Sequence, residues 1–457
     1  VTEYSADVVV LGGGSGGYAA ALRLAELGKD VVLVEKDKLG GTCLHRGCIP
    51  TKALLHAGEV ADAARGAADI GVDVTFSGID PARVRAYREG IVAKKFKGLE
   101  GLISARGIRV VHGEGVLAAG PTVRVGDDVY RGTDVILATG SYSRSLPGLE
   151  IGGRVLTSEQ ALDLDVIPER VVVLGGGVIG VEFASVWRSF GVDVTIVEAL
   201  PHLLPAEDVA SSKALERAFR KRGISFQLGK RFASLSQSAD SATVTLDDGS
   251  ELVADYVLVA VGRGPVTAGL GYEEAGVVLD RGFVQTDERL RTAADHVWAV
   301  GDIVPGLQLA HRGFQQGIFV AEEIAGLAPV LVPDVDVPRV AYSHPEVASV
   351  GLTEAQAQDR YGSDAVNAYE YNLAGNGRSE IIGTSGIVKI VRRVDGPVVG
   401  AHLVGDRVGE LISEAQLAVG WEAHPEDIAP FVHAHPTQSE ALGEAFLALA
   451  GKPLHAL

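Results

Sequence analysis

The sequence predicts an α/β chain in which one doubly wound unit is inserted in another and an α+β domain closes the chain. Three observations carry this. The apolar run at residues 8–11 enters a G-x-G-x-x-G turn at Gly12, Gly14 and Gly17, and the next apolar run, residues 31–34, ends in Glu35. Residues 171–174 repeat the pattern with Gly175, Gly177 and Gly180, and residues 194–197 end in Glu198. Gly12 to Glu35 and Gly175 to Glu198 span the same 23 residues, at an offset of 163. Finally, residues 336–457 carry a hairpin signature and helical patterns in place of a third glycine turn.

The repeated pattern has a physical reading. Glycines let the backbone approach a pyrophosphate at a helix N-terminus, and the acidic residue accepts hydrogen bonds from a ribose. One such turn is weak evidence, because glycine-rich strand–helix turns also have purely structural uses. Two, each with its acid in place, imply a duplicated dinucleotide-binding (Rossmann-like) domain and two dinucleotides.

The elements follow in order. A helical pattern over residues 18–27 follows the first turn. Residues 135–140 form an apolar strand ending in the small-residue turn Ala138-Thr139-Gly140, and Pro147-Gly148 marks a boundary. The second unit holds a hairpin signal at Asp248-Gly249, then an apolar strand at residues 256–261 that runs into Gly262. A further buried strand, residues 297–300, ends in Gly301-Asp302, with a helical stretch to about Leu327. The prolines and acids of residues 331–338 read as a linker. Residues 387–391 and 398–404 flank Asp395-Gly396, a strong hairpin signal. The expected segments are 1–149, 150–265, 266–335 and 336–457, with the third completing the first unit.

Length and composition agree. The chain has 457 residues, enough for two to four domains. Its 58 glycines and 47% apolar content suit buried parallel sheets. A net charge of −18 argues against non-specific nucleic-acid binding and favours a basic protein partner. No apolar run approaches spanning length and nothing resembles a signal peptide, so a cytoplasmic location is expected. There is no methionine at all, a fact without a functional explanation in the sequence.

Only two cysteines occur, Cys43 and Cys48, within G-G-T-C-L-H-R-G-C-I-P-T-K at residues 40–52. On an ideal helix this spacing puts the Cα atoms roughly 8–9 Å apart, and a disulfide tolerates at most about 7 Å. A redox pair therefore needs a tightened or broken helix, which Gly47 and Pro50 make feasible. Two inert buried thiols are the plain alternative. Half of a zinc site is another, but no second cysteine pair completes it, and no metal is expected. In a cytosolic chain a disulfide is more often catalytic than structural.

Taken together, the cysteine motif, the two glycine turns, Ala138-Thr139-Gly140, Gly301-Asp302 and H-A-H-P-T-Q-S-E at residues 433–440 resemble the flavoprotein disulfide reductase family over essentially the whole chain. The resemblance implies FAD on the first unit, NAD on the second and a C-terminal dimerisation domain, hence a homodimer. It implies that Cys43 exchanges with the substrate dithiol and that Cys48 lies against the flavin. Lys52 would sit near the flavin's reactive nitrogen, paired with Glu182. Gly12, Gly14, Gly17, Glu35, Thr42, Lys52, Ala138, Thr139, Gly140, Gly301 and Asp302 would contact FAD. Gly175, Gly177, Val178, Gly180, Glu198 and Gly262 would contact NAD. His435 would be the acid/base, with Glu440 orienting it, both reaching the other subunit's disulfide. Histidine is the side chain titrating nearest neutrality, and a carboxylate on its far nitrogen fixes the tautomer.

Departures within the family narrow the function. NADPH-linked relatives carry arginines after the second unit's second strand; here Glu198 is followed by Ala199, Leu200, Pro201 and His202. The C-terminal cysteine pair of mercuric reductases is lacking. The expectation is an enzyme oxidising dihydrolipoamide, free or on the lipoyl domain of a 2-oxo acid dehydrogenase complex, and reducing NAD⁺. A reductase of another small disulfide, or a general NADH:acceptor diaphorase, is the alternative. A nucleotide-binding scaffold is a third reading, against which the retained Cys–Cys–His–Glu set speaks.

Several residues keep plainer readings. Glu440 also fits a capping box with Thr437. His433 competes with His435 for the base, Lys52 and Glu182 fit ordinary surface charges, and His45 is expected to face solvent. His311 and His344 are read as structural.

Overall fold

The computed structural model describes residues 2–455. They form two compact units, one built from residues 2–53, 82–144 and 263–334, the other from 54–81, 145–262 and 335–455.

The first unit is organised on a parallel sheet ordered Val297–Ala299, Asp134–Leu137, Val8–Leu11, Val31–Glu35, Arg109–His112. The central strand Val8–Leu11 is buried along its whole length, as an all-apolar strand between helix layers must be. Val297 pairs with Val135 although some 160 residues of sequence separate them. That register is the topological signature of an insertion: the chain leaves this sheet after residue 137 and returns to finish it. The helices Ser15–Glu26 and Ala310–Ile324 pack backbone to backbone, because Gly16 and Gly317 leave no side chain between them. A Cβ added at Gly317 would stand 2.3 Å from the Gly16 carbonyl oxygen.

The second unit repeats the parallel layout, in the order Val155–Thr157, Tyr256–Val259, Arg170–Leu174, Asp193–Glu198, Ser225–Leu228. The strand expected at 256–261 stops at Val259, where the chain turns toward Gly262. The hairpin at Asp248-Gly249 joins Ala242–Leu246 to Glu251–Ala254 in register. Asp248 accepts from the Ser250 backbone and from Lys230, which closes the turn.

The same unit carries an antiparallel sheet ordered Arg339–Ala341, Glu346–Gly351, Val398–Gly405, Ile387–Arg393, Val366–Asn372. Asp395 adopts φ 53° in the tight turn between the two central strands, as the hairpin signal requires. The helices Val408–Gly420 and Glu440–Leu449 cover one face, burying Ile412, Ala415, Leu442 and Phe446 against Ala401 and Leu403. The stretch expected as a linker is not bare coil. Asp334 to Asp336 form a single 3₁₀ turn, and Asp334 is held by the Arg312 guanidinium at 2.6 Å.

Candidate active site

Each glycine of the two turns has its own physical reason. Gly12 has φ 106°, and a Cβ there would meet the Ala138 carbonyl oxygen at 2.3 Å. A Cβ on Gly17 would lie 1.8 Å from the Gly12 carbonyl oxygen, so only glycine lets the helix start this close to the strand. At Gly14, by contrast, an added Cβ would meet nothing within 4 Å. Packing explains the first and last glycines, and the middle one faces open space where a ligand backbone can approach. The second turn repeats this: Gly175 against Ala260, Gly180 against Gly175, and Gly177 open.

The acids close the turns alike. Glu35 accepts from the Gly13 and Asp37 backbones at 2.7 and 2.8 Å, and Glu198 from Gly176 and Leu200 at 2.7 and 2.8 Å. Burial pushes the Glu35 carboxyl up, with the Gly13 and Lys36 backbone amides pulling it back in part. Two oxygens with spare lone pairs remain on each acid for ribose hydroxyls.

The cysteine stretch is two helices. Gly41–Arg46 ends at Gly47, whose φ −142° and ψ −105° break the run, and Cys48–Gly66 starts directly after it. That break is the distortion the spacing demanded. Cys43 and Cys48 are in the dithiol form, their side chains hydrogen-bonded to one another. This bond, then burial, pushes the Cys43 thiol far up, while Lys52 acts in the opposite sense. Lys52 is thus half-buried beside the sulfurs rather than an ordinary surface charge. His45, expected to face solvent, is also half-buried. Its Nε2 lies 2.8 Å from the Leu39 carbonyl oxygen, and its ring stands edge-on to Phe96. Gly41 packs on the Gly14 backbone, so cysteine motif and first turn are contiguous.

Sequence reasoning missed two features of this unit. Tyr18, on the first fingerprint helix, has its phenol pushed up to about 12, by burial first and then by Cys43 and Cys48. Asp302 accepts from the Ser141 hydroxyl at 2.5 Å, and Ser141 accepts from Arg263 Nε at 2.8 Å. No local pattern marks Tyr18 or Ser141, because both matter only through tertiary approach. Thr139 is fixed as well, donating to the Val266 carbonyl at 2.6 Å and meeting the buried Tyr272 hydroxyl.

In the second unit, Val178 begins the helix Val178–Ser189 and is 40% exposed beside the open Gly177. Glu182, one turn on, is buried and accepts from the Tyr342 backbone at 2.9 Å, which removes the surface-charge reading. Near the C-terminus the capping-box reading of Glu440 fails: the helix Glu440–Leu449 begins at Glu440 itself with Ser439 as its N-cap, and the Thr437 hydroxyl donates to the Ala434 carbonyl. One carboxylate oxygen accepts from the Thr437 backbone at 2.8 Å and the other lies 2.9 Å from His435 Nδ1. Burial raises the Glu440 carboxyl, but Thr437 and His435 outweigh it and hold it below its ordinary range. His435 is largely exposed, with Nδ1 the ring nitrogen turned to Glu440. His433 is tied by Nε2 to Glu414 at 2.8 Å, a bond that raises its pKa despite partial burial.

Known proteins match at full length. The family described as Pyridine nucleotide-disulphide oxidoreductase covers residues 6–317, and its dimerisation domain covers residues 337–446. The chain belongs to the pyridine nucleotide-disulphide oxidoreductases. A dihydrolipoyl dehydrogenase of Bacillus subtilis is 40% identical over 476 residues, covering 99% of each chain. One from Chlorobaculum parvum is 40% identical, covering 98% of this chain and 97% of its own. Among solved structures, LpdA from Mycobacterium tuberculosis superposes with a TM-score of 0.90 at 29% identity, over 98% of this chain and 100% of that one. The HOCl-induced flavoprotein disulfide reductase RclA from Escherichia coli gives 0.86 at 28%, over 96% and 99%.

As a member of this family the chain uses FAD and NAD. The first cradle fits the flavin dinucleotide. Gly14, Gly140 and Gly301 each leave open space where a Cβ would stand, around an acid and an aspartate held by hydrogen bonds. This separates two substitutions. Gly17→Ala should cost about 1–3 kcal/mol in overpacking and lower the melting temperature. Gly14→Ala should melt normally yet purify with reduced flavin absorbance. A normal melt for Gly17→Ala would contradict the packing argument.

Proposed function

We propose that the protein is an NAD⁺-dependent dihydrolipoyl dehydrogenase acting through the Cys43–Cys48 pair. The observation that carries this reading is the contiguity of cysteine motif and first cradle, Gly41 against Gly14, in a chain that keeps both thiols, Lys52 and the His435–Glu440 pair. Full-length likeness to dihydrolipoyl dehydrogenases supports it. The chemistry that FAD supplies is two-electron transfer between the cysteine pair and NAD⁺.

The chain's own residues do the rest. One sulfur of the dithiol attacks Cys43 of the oxidised pair and Cys48 departs as a thiolate; the second substrate sulfur then displaces Cys43. The substrate leaves as a cyclic disulfide, and two electrons stay on the cysteines. Two protons must leave the attacking thiols, because the thiolate is the nucleophile. His435 Nε2 takes the first and hands it to the departing Cys43 sulfur, then holds the second, while Glu440 on Nδ1 keeps the tautomer and favours the imidazolium. Lys52 favours negative charge at the sulfurs. Tyr18 packs beside them as a neutral phenol, its proton held by burial.

We assign the first cradle, with Thr42, Ala138, Thr139, Gly140, Gly301 and Asp302, to FAD, and the second, with Val178, Glu198 and Gly262, to NAD. The dimerisation domain makes a homodimer the expected state, with His435 serving the partner's disulfide. A lipoyl domain of a 2-oxo acid dehydrogenase complex is the proposed carrier of the dithiol and the cytoplasm the proposed location. No described helix is long and apolar enough to cross a membrane. The direct test is NAD⁺-dependent oxidation of dihydrolipoamide beside other dithiols. Equal rates with unrelated dithiols would favour the diaphorase alternative.

Nicotinamide choice follows from Glu198. A 2′-phosphate would meet a carboxylate fixed by two backbone amides, and would lose hydrogen bonds to a charged group worth about 1.5–3 kcal/mol each. NAD⁺ should therefore exceed NADP⁺ in kcat/KM by about 10²-fold or more. Parity between the two would remove Glu198 from the ribose site.

A further inference from the structure

One polar row crosses the C-terminal antiparallel sheet. The register pairs Arg339 with Ser349, Ser349 with His402 and His402 with Lys389 on four adjacent strands, so all four side chains stand on one face. Facing them are Glu207 and Asp208, which end the loop that follows Glu198. Arg339 Nε donates to Glu207 at 3.1 Å and the Ser349 hydroxyl donates to the same carboxylate at 2.5 Å. Lys389 Nζ bridges Asp208 and Glu354, at 2.8 Å each. Burial opposes charge on both Asp208 and Lys389, yet their mutual bond and the neighbouring groups outweigh it. Burial pushes the His402 imidazole below its ordinary value, and its Nε2 bonds to the Leu352 carbonyl at 2.9 Å.

From Asp208 the loop leads back to the second cradle. Leu204 N donates to the Gly176 carbonyl at 2.8 Å, and a Cβ on Gly176 would meet Leu203 at 2.7 Å. The Gly176 amide is held by Glu198. Gly176 is thus held by its amide to Glu198, the last residue of the strand, and by its carbonyl to the loop that follows; that loop also donates to Glu198 through the Leu200 amide, and its far end is pinned to the polar row. The first unit shows the same closure: Gly40 N bonds to the Gly13 carbonyl and Leu39 packs on Gly13, but that loop continues into the cysteine motif. After duplication, the second copy's loop has a different anchor.

Stability alone does not require charges here. An apolar junction of similar volume is often as stable as a buried ion-pair cluster, whereas fixed charges specify one register.

We propose that Arg339, Ser349 and Lys389 are positioning residues for the dinucleotide site: by pinning Glu207 and Asp208 they hold the loop that orients Glu198 and Gly176, and so set the affinity for NAD. This rests on the assignment of NAD to the second cradle.

The test uses the flavin-loaded enzyme, with ADP-ribose binding measured by calorimetry alongside steady-state kinetics. Lys389→Met should weaken ADP-ribose and raise the KM for NAD⁺ by about tenfold, within the range by which remote positions modulate a site. Its kcat at saturating NAD⁺ and its KM for dihydrolipoamide should stay within about twofold, the split expected for ground-state binding alone. Lys389→Arg should restore affinity. A lowered melting temperature with unchanged ADP-ribose affinity would overturn the proposal and leave the row merely structural. If Lys389→Met does not fold, Arg339→Gln/Glu207→Gln decides by the same criteria, since it removes both charges of one rung together. Glu198→Gln separates the two claims. Unchanged ADP-ribose affinity in that variant would overturn the assignment of the cradle, whereas a loss there with none in the Lys389 or paired variant overturns the row alone.

Discussion

Cys43→Ser should reduce dihydrolipoamide oxidation to background while NADH still reduces artificial dyes at a substantial rate. The chain has no third thiol to substitute, so the variant cannot form the disulfide that receives electrons from the substrate. The loss is therefore a missing reactant rather than a weakened interaction. Serine cannot replace the sulfur, because thiol–disulfide exchange needs a thiolate that attacks and a thiolate that leaves. Packing should survive, since the side chains are nearly isosteric and Cys43 is only half-buried. Dye reduction bypasses the pair, because hydride from NADH reaches the flavin without it. The measurement is the two activities on one preparation of known flavin content. If dye reduction fell as far as dithiol oxidation, the pair would not lie in series with the flavin on the substrate side.

The parts of this architecture that were legible in the sequence are those encoded by local spacing. Gly12, Gly14, Gly17 and Glu35 could be read because a strand, a turn and a helix fix their relations within one short stretch, and the repeat at Gly175 removed coincidence. The break at Gly47 was foreseeable in kind, because an ideal helix cannot bring the sulfurs together. What escaped depends on register and long-range approach. Ser141 meets Asp302 across 161 residues. The row from Arg339 to Lys389 exists only once four strands are aligned, since a one-residue slip would turn each side chain to the other face. His45 was misread because its position between two reactive residues says nothing about Leu39 and Phe96 folding over it. The capping-box reading of Glu440 failed because T-x-x-E spacing does not say where the helix begins: it begins at Glu440, whose carboxylate gives one oxygen to the Thr437 amide and the other to His435.

His435→Ala should lower dihydrolipoamide oxidation by about 10²–10⁴-fold, the usual cost of a lost general base. The substrate thiol must shed a proton to attack, and the only other candidate on this segment, His433, is already bound through Nε2 to Glu414. His433→Ala should therefore be much milder, and reduction of dyes by NADH should survive in both variants. Glu440→Gln should fall between them. The amide has one oxygen where the carboxylate has two, so it can accept from the ring or from the Thr437 amide but not from both, and it carries no charge to favour an imidazolium. The sharper claim concerns the second subunit. The cysteines belong to one compact unit and His435 to the other, in the segment matched by the dimerisation domain. If each site takes its disulfide from one chain and its base from the partner, a Cys43→Ser subunit paired with a His435→Ala subunit contains one complete site. That site combines the cysteines of the second chain with the histidine of the first. Mixed dimers, isolated with two affinity tags, should then recover up to about half of the wild-type activity although both parent dimers are deficient, one site of two being intact. Inactive mixed dimers that remain folded and flavin-loaded would show that His435 acts within its own chain.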